Sequence, residues 1–532
     1  MAIILTRRDL LRGAAATALL GVARPGRVGS VGDAPGPAFR HGVASGDPGA
    51  DRVILWTRVT PPATPADAPV QVAWRIARDA ALRDVAAGGV ATTSAARDFT
   101  VKVDAAGLEP GRPWHYGFRA LGQDSPAGRT RTLPVGATPR LRLAVASCAN
   151  LPQGFFNAYA AIARRPDLDA VLHLGDYLYE YENGRYGDGR ALGRVPEPDR
   201  EITTLADYRE RHAQYKRDPD LQALHAAHPM LAVWDDHELA NNAWRGGAEN
   251  HEPTREGSWS ERRAAAVRAW LEWMPVREPE AGSASGEARI WRAFRFGDLA
   301  ELVLLDARLV GRDEQARPDD PARLADSSRE LLGAEQERWL LERLGAAGAD
   351  GAAWKLLGQQ VVFAPLARPG ARPNPDAWDG YAPARSRLMD ALVQRGIGDL
   401  VVLSGDVHSS WGMDVPRDPF SPEGYDPATG RGSLAVELVA PAVSSAPLGS
   451  HAALRERYTV TRESHPHVRF QDLDARGYLL VDVEPERVRA EWWFVDDVER
   501  SGAAERLGKA LAVRRGTSHL GEDAGSSSAS GG

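Results

Sequence analysis

Four short apolar runs that end abruptly in polar residues constrain the fold of this chain more than any other feature. Helical patterns such as "GFFNAYAAIARR" and "SERRAAAVRAWLEWM" lie between runs of this kind. A short, near-continuous apolar run is typical of a β-strand that is buried on both faces. We therefore predict an α/β fold in which helices cover the faces of a largely parallel sheet. The four runs are "LRLAVASC", "LDAVLHLGD", "MLAVWDD" and "GDLVVLSGD".

The polar residues at the ends of these runs are the candidate functional residues. In open α/β sheets the carboxyl ends of the strands line the ligand crevice, so these side chains should converge there. Any one of them alone could be a helix cap or a buried packing residue. Together, a thiol, a phenol, carboxylates and imidazoles are difficult to explain as packing. The residues are Cys148, Asp176, Tyr179, Asp236, His237, Asp406 and His408.

This set of side chains predicts a metal site with two kinds of ion. Thiolate and phenolate are anionic donors suited to an ion of high charge such as Fe³⁺, whereas carboxylates and amides suit Ca²⁺ or Mg²⁺. Two adjacent ions can supply a hydroxide nucleophile and neutralise a phosphoryl group during in-line displacement.

The chain of 532 residues is too long for a single core, and we predict several units. Residues 38–135 contain β-branched and aromatic runs between turn signals, typical of a fibronectin/Ig-like β-sandwich. Residues 139–498 carry the α/β pattern. Residues 499–532 are predicted to form a C-terminal helix and a tail. The tail is predicted to be disordered because its residues are rich in Gly and Ser.

Residues 1–35 are predicted to be a signal peptide and linker. Arg7 and Arg8 precede a short apolar stretch, the form recognised by the twin-arginine translocase, although an arginine pair can also arise by chance. We therefore expect export to the periplasm, the cell envelope or the medium. No later segment is apolar over the length of a membrane helix, so we expect no permanent anchor. With a net charge of −7, the chain is also expected to lack a nucleic-acid-binding patch.

The motifs "VASC", "GDYLYEY", "VWDDHELANN" and "LSGDVHSSW" resemble those of the PhoD-like alkaline phosphatases and phosphodiesterases. That family belongs to the calcineurin-like metallophosphoesterases related to purple acid phosphatases. The stretch "FRHGVASGDPGADRVILWTRVTP" is similar to the opening of the family's β-domain. The resemblance implies a β-sandwich followed by a calcineurin-like α/β sandwich.

The resemblance also implies a cofactor of Fe³⁺ with one or two Ca²⁺ ions. It implies Cys148, Tyr179 and His408 as Fe³⁺ ligands and Asp176 as the carboxylate that bridges the metals. Asp236 and Asp406 stand where purple acid phosphatases have Asn and His, which favours Ca²⁺ at the second position. Asn241, with Asn242 beside it, is a candidate amide ligand of Ca²⁺. The resemblance also places His237 where the superfamily has its second-sphere histidine, which implies a catalytic residue that stabilises the oxyanion or protonates the leaving group.

The activity implied is hydrolysis of a small phosphate ester by a metal-activated hydroxide at alkaline pH. Phosphodiesterase or phospholipase D-like activity on the same centre is the enzymatic alternative, with teichoic-acid-like polymers and phospholipids among the candidate substrates. A surface binding protein with an inactive hydrolase core is the alternative from another class. Asp235 is expected to support the site, while Asp306 and Arg308 are either a structural ion pair near it or phosphate contacts. His173 is expected in the core, and His465 and His467 are weaker candidates for the substrate site.

Overall fold

The computed structural model of the protein describes residues 38–61, 68–278 and 288–523. The predicted signal peptide at residues 1–35 lies outside the described residues, as does the end of the predicted tail. Within the three described ranges, no helix combines the length and apolar character needed to cross a bilayer.

The described residues form twenty-two strands and nine α-helices. The strands are β1 (Val43–Gly46), β2 (Arg52–Arg58), β3 (Val70–Ala77), β4 (Val85–Thr93), β5 (Thr100–Ala106), β6 (Pro113–Ala120), β7 (Gln123–Asp124), β8 (Gly128–Arg131), β9 (Leu141–Ala146), β10 (Ala170–His173), β11 (Met230–Ala232), β12 (Arg292–Phe296), β13 (Ala300–Leu304), β14 (Trp354–Gly358), β15 (Leu400–Ser404), β16 (Ser410–Pro416), β17 (Ser433–Val439), β18 (Val468–Asp472), β19 (Arg476–Glu484), β20 (Arg487–Val495), β21 (Glu505–Arg514) and β22 (Leu520–Glu522). The helices are α1 (Asn157–Ala163), α2 (Leu205–Lys216), α3 (Pro219–Ala227), α4 (Pro253–Glu256), α5 (Trp259–Trp273), α6 (Pro321–Leu324), α7 (Ala334–Ala349), α8 (Ala382–Gln394) and α9 (Ala452–Tyr458).

Two large sheets pack against each other and carry the candidate site. The ten-stranded sheet has the order β22-β21-β20-β19-β9-β10-β11-β1-β2-β5, and the seven-stranded sheet has the order β12-β13-β14-β15-β17-β16-β18. The strands β9, β10 and β11 are parallel, and so are β13, β14, β15 and β17. The four apolar runs quoted from the sequence form β9, β10, β11 and β15, and the predicted α/β fold class is confirmed.

The strands of both sheets are buried on both faces, which explains why the runs are apolar throughout. In β13, Leu302 belongs to the core between the sheets, whereas its neighbour Val303 packs with α7 and α8. This alternation follows from the two-residue period of a strand. Helix α1 packs against β19 and β20 of the first sheet, and α3 packs against β1. The α5 helix begins at a capping box in which Ser258 and Glu261 satisfy each other's backbone N–H groups.

The N-terminal β-region is joined to the first sheet. Strands β3, β4, β6, β7 and β8 form a separate sheet, but β1, β2 and β5 extend the ten-stranded sheet through the parallel pairing of β1 with β11. Gly46 is required at this junction, because a Cβ there would lie 2.2 Å from the Pro275 carbonyl oxygen and 2.4 Å from that of Met230. The sandwich therefore shares one sheet with the α/β region.

The helix expected in residues 499–532 is wrong for the described part of that segment. The residues "ERLGKALAVR" form β21, which pairs with β20, and β22 pairs with β21. Ala, Leu, Lys and Arg favour a helix, but Leu511 and Val513 alternate toward the core and the open edge of β20 supplies backbone partners.

Candidate metal centre

The candidate residues lie just past the ends of strands, where the two sheets meet. Cys148 follows β9 and Asp176 follows β10 in the first sheet, while Asp406 and His408 follow β15 in the second. All four residues have left-handed backbone conformations, with φ of 62°, 55°, 63° and 51° respectively. Such conformations cost energy in residues other than glycine and persist where the surroundings impose them, frequently at functional sites. The backbone therefore turns sharply at each of these positions.

One group of residues contains the sulfur and is called here the sulfur-side cluster: Cys148, Asp176, Tyr179 and His408. Ligand atoms of Cys148, Asp176 and His408 lie within 4.8 Å of one another. The Tyr179 hydroxyl donates to Asp176 Oδ2 at 2.8 Å and lies 3.1 Å from His408 Nε2. The four side chains thus surround one small volume.

Burial favours the protonated, neutral forms of the thiol and the phenol in the sulfur-side cluster. Burial, reinforced by the charge of Asp176, raises the pKa of the Cys148 thiol and that of the Tyr179 phenol. A metal ion favours the thiolate and the phenolate and so reverses this effect. Asp176 Oδ1 is buried, and among the described residues nothing donates a hydrogen bond to it. A buried carboxylate oxygen of this kind fits a metal ligand.

Asp176 also belongs to a second group, with Asp236 and His237, in which ligand atoms again lie within 4.8 Å. The backbone N–H of Asn242 donates to Asp236 Oδ2 at 2.5 Å. Asn241 is buried nearby, and its Oδ1 lacks a hydrogen-bond donor within the described ranges. The amide oxygen therefore fits the predicted role of a hard-metal ligand.

His237 is held by the carboxylate of Glu180, which is not among the residues predicted from the sequence. Its Nδ1 lies 2.6 Å from Glu180 Oε2, and the Tyr179 ring lies 4.2 Å from the imidazole, centroid to centroid. Burial lowers the pKa of an imidazole, but Asp236, Glu180 and Asp176 outweigh it and raise the pKa of His237 to about 9. The neighbouring carboxylates therefore favour the imidazolium.

Glu180 connects His237 to the loop that carries Asn241. The Glu180 side chain is fully buried, and its Oε1 accepts from the backbone N–H of Asn241 at 2.8 Å and from Asn250 Nδ2 at 3.0 Å. The sequence does contain a signal for Glu180, because this acid directly follows Tyr179 within the motif "GDYLYEY".

A third group surrounds Arg308 and is called here the arginine-side cluster: Asp235, Asp236, Asp376 and Asp406, with the guanidinium between them. Arg308 Nε donates to Asp235, Nη2 donates to Asp406 at 2.8 Å, and Nη1 donates to Asp376 at 2.8 Å. Burial raises the pKa of the Asp406 carboxyl to about 7, with the Arg308 charge opposing the rise. Ligand atoms of Asp235, Asp236 and Asp406 lie within 4.8 Å of one another.

Comparison with known proteins identifies the family to which the chain belongs. The profile of the PhoD-like phosphatases matches residues 143–492, and that of the PhoD-like phosphatase N-terminal domain matches residues 27–134. The chain belongs to the PhoD-like phosphatase family. It is 36% identical over 480 residues to alkaline phosphatase D of Bacillus subtilis (strain 168), covering 88% of this chain and 79% of that protein.

A solved structure described as "Structure of PhoD" superposes with a TM-score of 0.80 at 32% identity, covering 92% of this chain and 93% of that one. The predicted resemblance and fold are thus confirmed. As a PhoD-like phosphatase the protein is a phosphoric ester hydrolase, so the enzyme prediction is confirmed and the non-enzymatic alternative is set aside.

The other sequence candidates of this PhoD-like phosphatase lie elsewhere or act indirectly. Asp306 does not pair with Arg308; its Oδ1 instead accepts the backbone N–H groups of Arg308 and Leu309, both at 2.9 Å. His173 is buried in the core, with its Nε2 2.8 Å from the Tyr159 hydroxyl. His465 and His467 pack edge-on against Phe420.

Proposed function

We propose that this phosphoric ester hydrolase works at a mixed centre of Fe³⁺ and one or two Ca²⁺ ions. The residues proposed for the iron are Cys148, Tyr179 and His408. Asp236, Asp406 and Asn241 are proposed for calcium. Asp176 is proposed as the bridge between them. The observation that carries the proposal is that Asp176 belongs both to the group with Cys148 and His408 and to the group with Asp236, and that its Oδ1 is buried without a donor among the described residues.

The chemistry of the donors supports this division. Ions bound at such a centre activate the attacking water and neutralise the charge on the phosphoryl group. The thiolate of Cys148 and the phenolate of Tyr179 would suit the ion of higher charge, whereas the carboxylates and the amide suit calcium. Their burial excludes the bulk water that would otherwise screen the charges.

His237 is proposed as the residue that stabilises the oxyanion or protonates the leaving group. Because its Nδ1 is engaged by Glu180, proton exchange with a substrate falls to Nε2. Glu180 fixes both the orientation of the ring and the nitrogen that carries the inner proton, as carboxylates do for functional histidines.

Metal analysis of protein exported from its native host tests the proposal. We expect iron and calcium bound to each chain and a visible absorption band from the phenolate–iron pair. A colourless, iron-free protein that is fully active would overturn the iron assignment, and retention of full activity after exhaustive chelation would overturn the metal centre.

The substrate is proposed to be a small phosphate ester, with diester and phospholipid hydrolysis as the alternatives. The same centre supports all three, because the attack on phosphorus uses the same charges. Measuring kcat/KM side by side on a phosphomonoester, a bis-ester, a teichoic-acid-like polymer and phosphatidylcholine separates them. A monoester preference would be contradicted if the bis-ester or the phospholipid were turned over faster.

Export through the twin-arginine translocase is also proposed, on the sequence of residues 1–35. The metal ligands span residues 148 to 408, so a centre loaded before export would require a folded chain. In a variant with Arg7→Lys and Arg8→Lys we expect folded protein to accumulate inside the cell. Unimpaired export of that variant would contradict the proposal.

A further inference from the structure

Arg308 is the one side chain of the arginine-side cluster that contacts acids from both large sheets. It follows β13 of the seven-stranded sheet and pairs there with Asp406, beyond the end of β15. Its Nε donates to Asp235, beyond the end of β11 in the ten-stranded sheet. The Arg308 side chain has no exposed surface. A buried guanidinium therefore joins the two halves of the candidate centre.

The charges around Arg308 are only partly balanced. Four carboxylates face this guanidinium within 4 Å, those of Asp235, Asp236, Asp376 and Asp406. Arg312 adds one more positive charge, but it contacts only Asp376 within this group. The carboxylates thus exceed the guanidinium groups by two, so Arg308 supplies part of the positive charge that buried carboxylates require.

A buried oxygen shows that more positive charge can be accommodated. Asp235 Oδ2 is buried, and within the described ranges no donor reaches it. Ligand atoms of Asp235, Asp236 and Asp406 already lie within 4.8 Å of one another, a spacing compatible with one shared cation. In this cluster the guanidinium and a metal ion would therefore compete for the same carboxylates.

We propose that Arg308 is a resident cation: it takes the place of one divalent ion in the arginine-side cluster and holds Asp406 beside Asp235 before any metal binds. The proposal rests on the metal centre of the proposed function. Arg308 is then a positioning residue, since it acts through the carboxylates that it pairs. It lowers by one the number of ions that the centre can bind, and it aligns one sheet with the other.

Replacing the guanidinium with a neutral side chain tests this. In Arg308→Gln the buried carboxylates lose their common partner, so in EDTA we expect Tm to fall by about 5–10 °C. Added Ca²⁺ should restore most of that loss, and the variant should bind about one more Ca²⁺ per chain than the wild type. Both are measured on the full-length protein, by thermal unfolding across a Ca²⁺ titration and by metal analysis after removal of free ions.

Three further variants separate charge from packing. Arg308→Lys keeps the charge and should bind the wild-type number of ions. The pair Arg308→Gln with Asp235→Asn removes one charge of each sign and should also return to that number. Arg312→Gln is the matched control: Asp376 keeps Arg308 and Gln315 as partners, so stability should fall without the gain of an ion.

The outcomes distinguish the two proposals. If wild-type protein binds metal but Arg308→Gln binds the same number of ions and gains no more stability from Ca²⁺ than the wild type, the resident-cation proposal is wrong. It is also wrong if Arg308→Gln cannot be folded at any Ca²⁺ concentration while Arg308→Lys folds. If the wild type binds no metal at all, the proposed function fails instead.

Discussion

The sulfur-side and arginine-side clusters are built in the same way but balance their charge differently. Most residues of both clusters lie at strand ends, and most are buried. In the sulfur-side cluster the thiol and the phenol are held in their protonated forms by burial, and Tyr179 donates to Asp176. In the arginine-side cluster a fixed guanidinium pairs with the acids. The first cluster thus gains the negative charges of its thiolate and phenolate only when a cation binds, whereas the second holds a cation at all times.

The largest effect is expected at Asp176, which the sulfur-side cluster shares with the group of Asp236 and His237. Asp176→Asn removes the charge while keeping the shape, so kcat/KM should fall by about 10³-fold or more, because several kcal/mol of charge stabilisation depend on the metals it holds. Steady-state kinetics with metal analysis measures this. Asp390→Asn, a half-exposed acid paired with Arg417, is the control and should be unaffected. A full metal complement with normal activity in Asp176→Asn would remove the bridge from the mechanism.

A pair of variants separates the two clusters. Cys148→Ser should lose iron and keep calcium, because a hydroxyl is a poor donor to Fe³⁺, whereas Asp406→Asn should lose calcium and keep iron. Each should reduce kcat/KM by about 10²-fold, since each leaves part of the charge stabilisation in place. Metal analysis of both variants provides the measurement. Loss of both metals in equal amounts from either variant would show that the clusters do not bind ions separately.

A smaller effect is expected from Glu180, which lies outside both clusters and acts through His237. Glu180→Gln keeps the size of the side chain but loses the carboxylate that orients the imidazole, so kcat should fall by about 10–100-fold with KM and metal content nearly unchanged. The loss should be greater for esters with poor leaving groups, which need protonation most. Equal losses for good and poor leaving groups would assign Glu180 a purely structural role.

The smallest effect on activity is expected from Tyr179→Phe. The ring remains against His237, but the hydroxyl that contacts Asp176 is lost, and the visible absorption band should disappear while kcat/KM falls by about tenfold. Absorption spectroscopy on iron-loaded protein checks this. Tyr177→Phe, whose hydroxyl lies 2.9 Å from His225 Nε2, is the control and should keep the band. An unchanged band in Tyr179→Phe would exclude Tyr179 as the phenolate ligand.

Features that depend on neighbouring residues could be predicted from the sequence, whereas contacts between distant segments could not. The buried strands and the polar residues that end them are local patterns, so the sequence alone predicts that Cys148, Asp176 and Asp406 lie at the carboxyl ends of strands. The helix expected near the C-terminus was wrong because pairing with β20 overrides the helix propensity of "ERLGKALAVR". The sandwich was recognised, but its merger with the first sheet through Gly46 and Met230 depends on a contact between distant segments.

The sequence by itself determined the α/β class, the strand-end residues and the family, because apolar periodicity and short motifs are properties of neighbouring residues. Only the tertiary structure decided the partners: Glu180 for His237, Asp235 and Asp406 for Arg308, and Cys148 and Asp236 for Asp176. Those choices depend on how two sheets pack. A charged side chain at the end of one strand pairs with an opposite charge at the end of another strand, and no local sequence pattern specifies which strand that is.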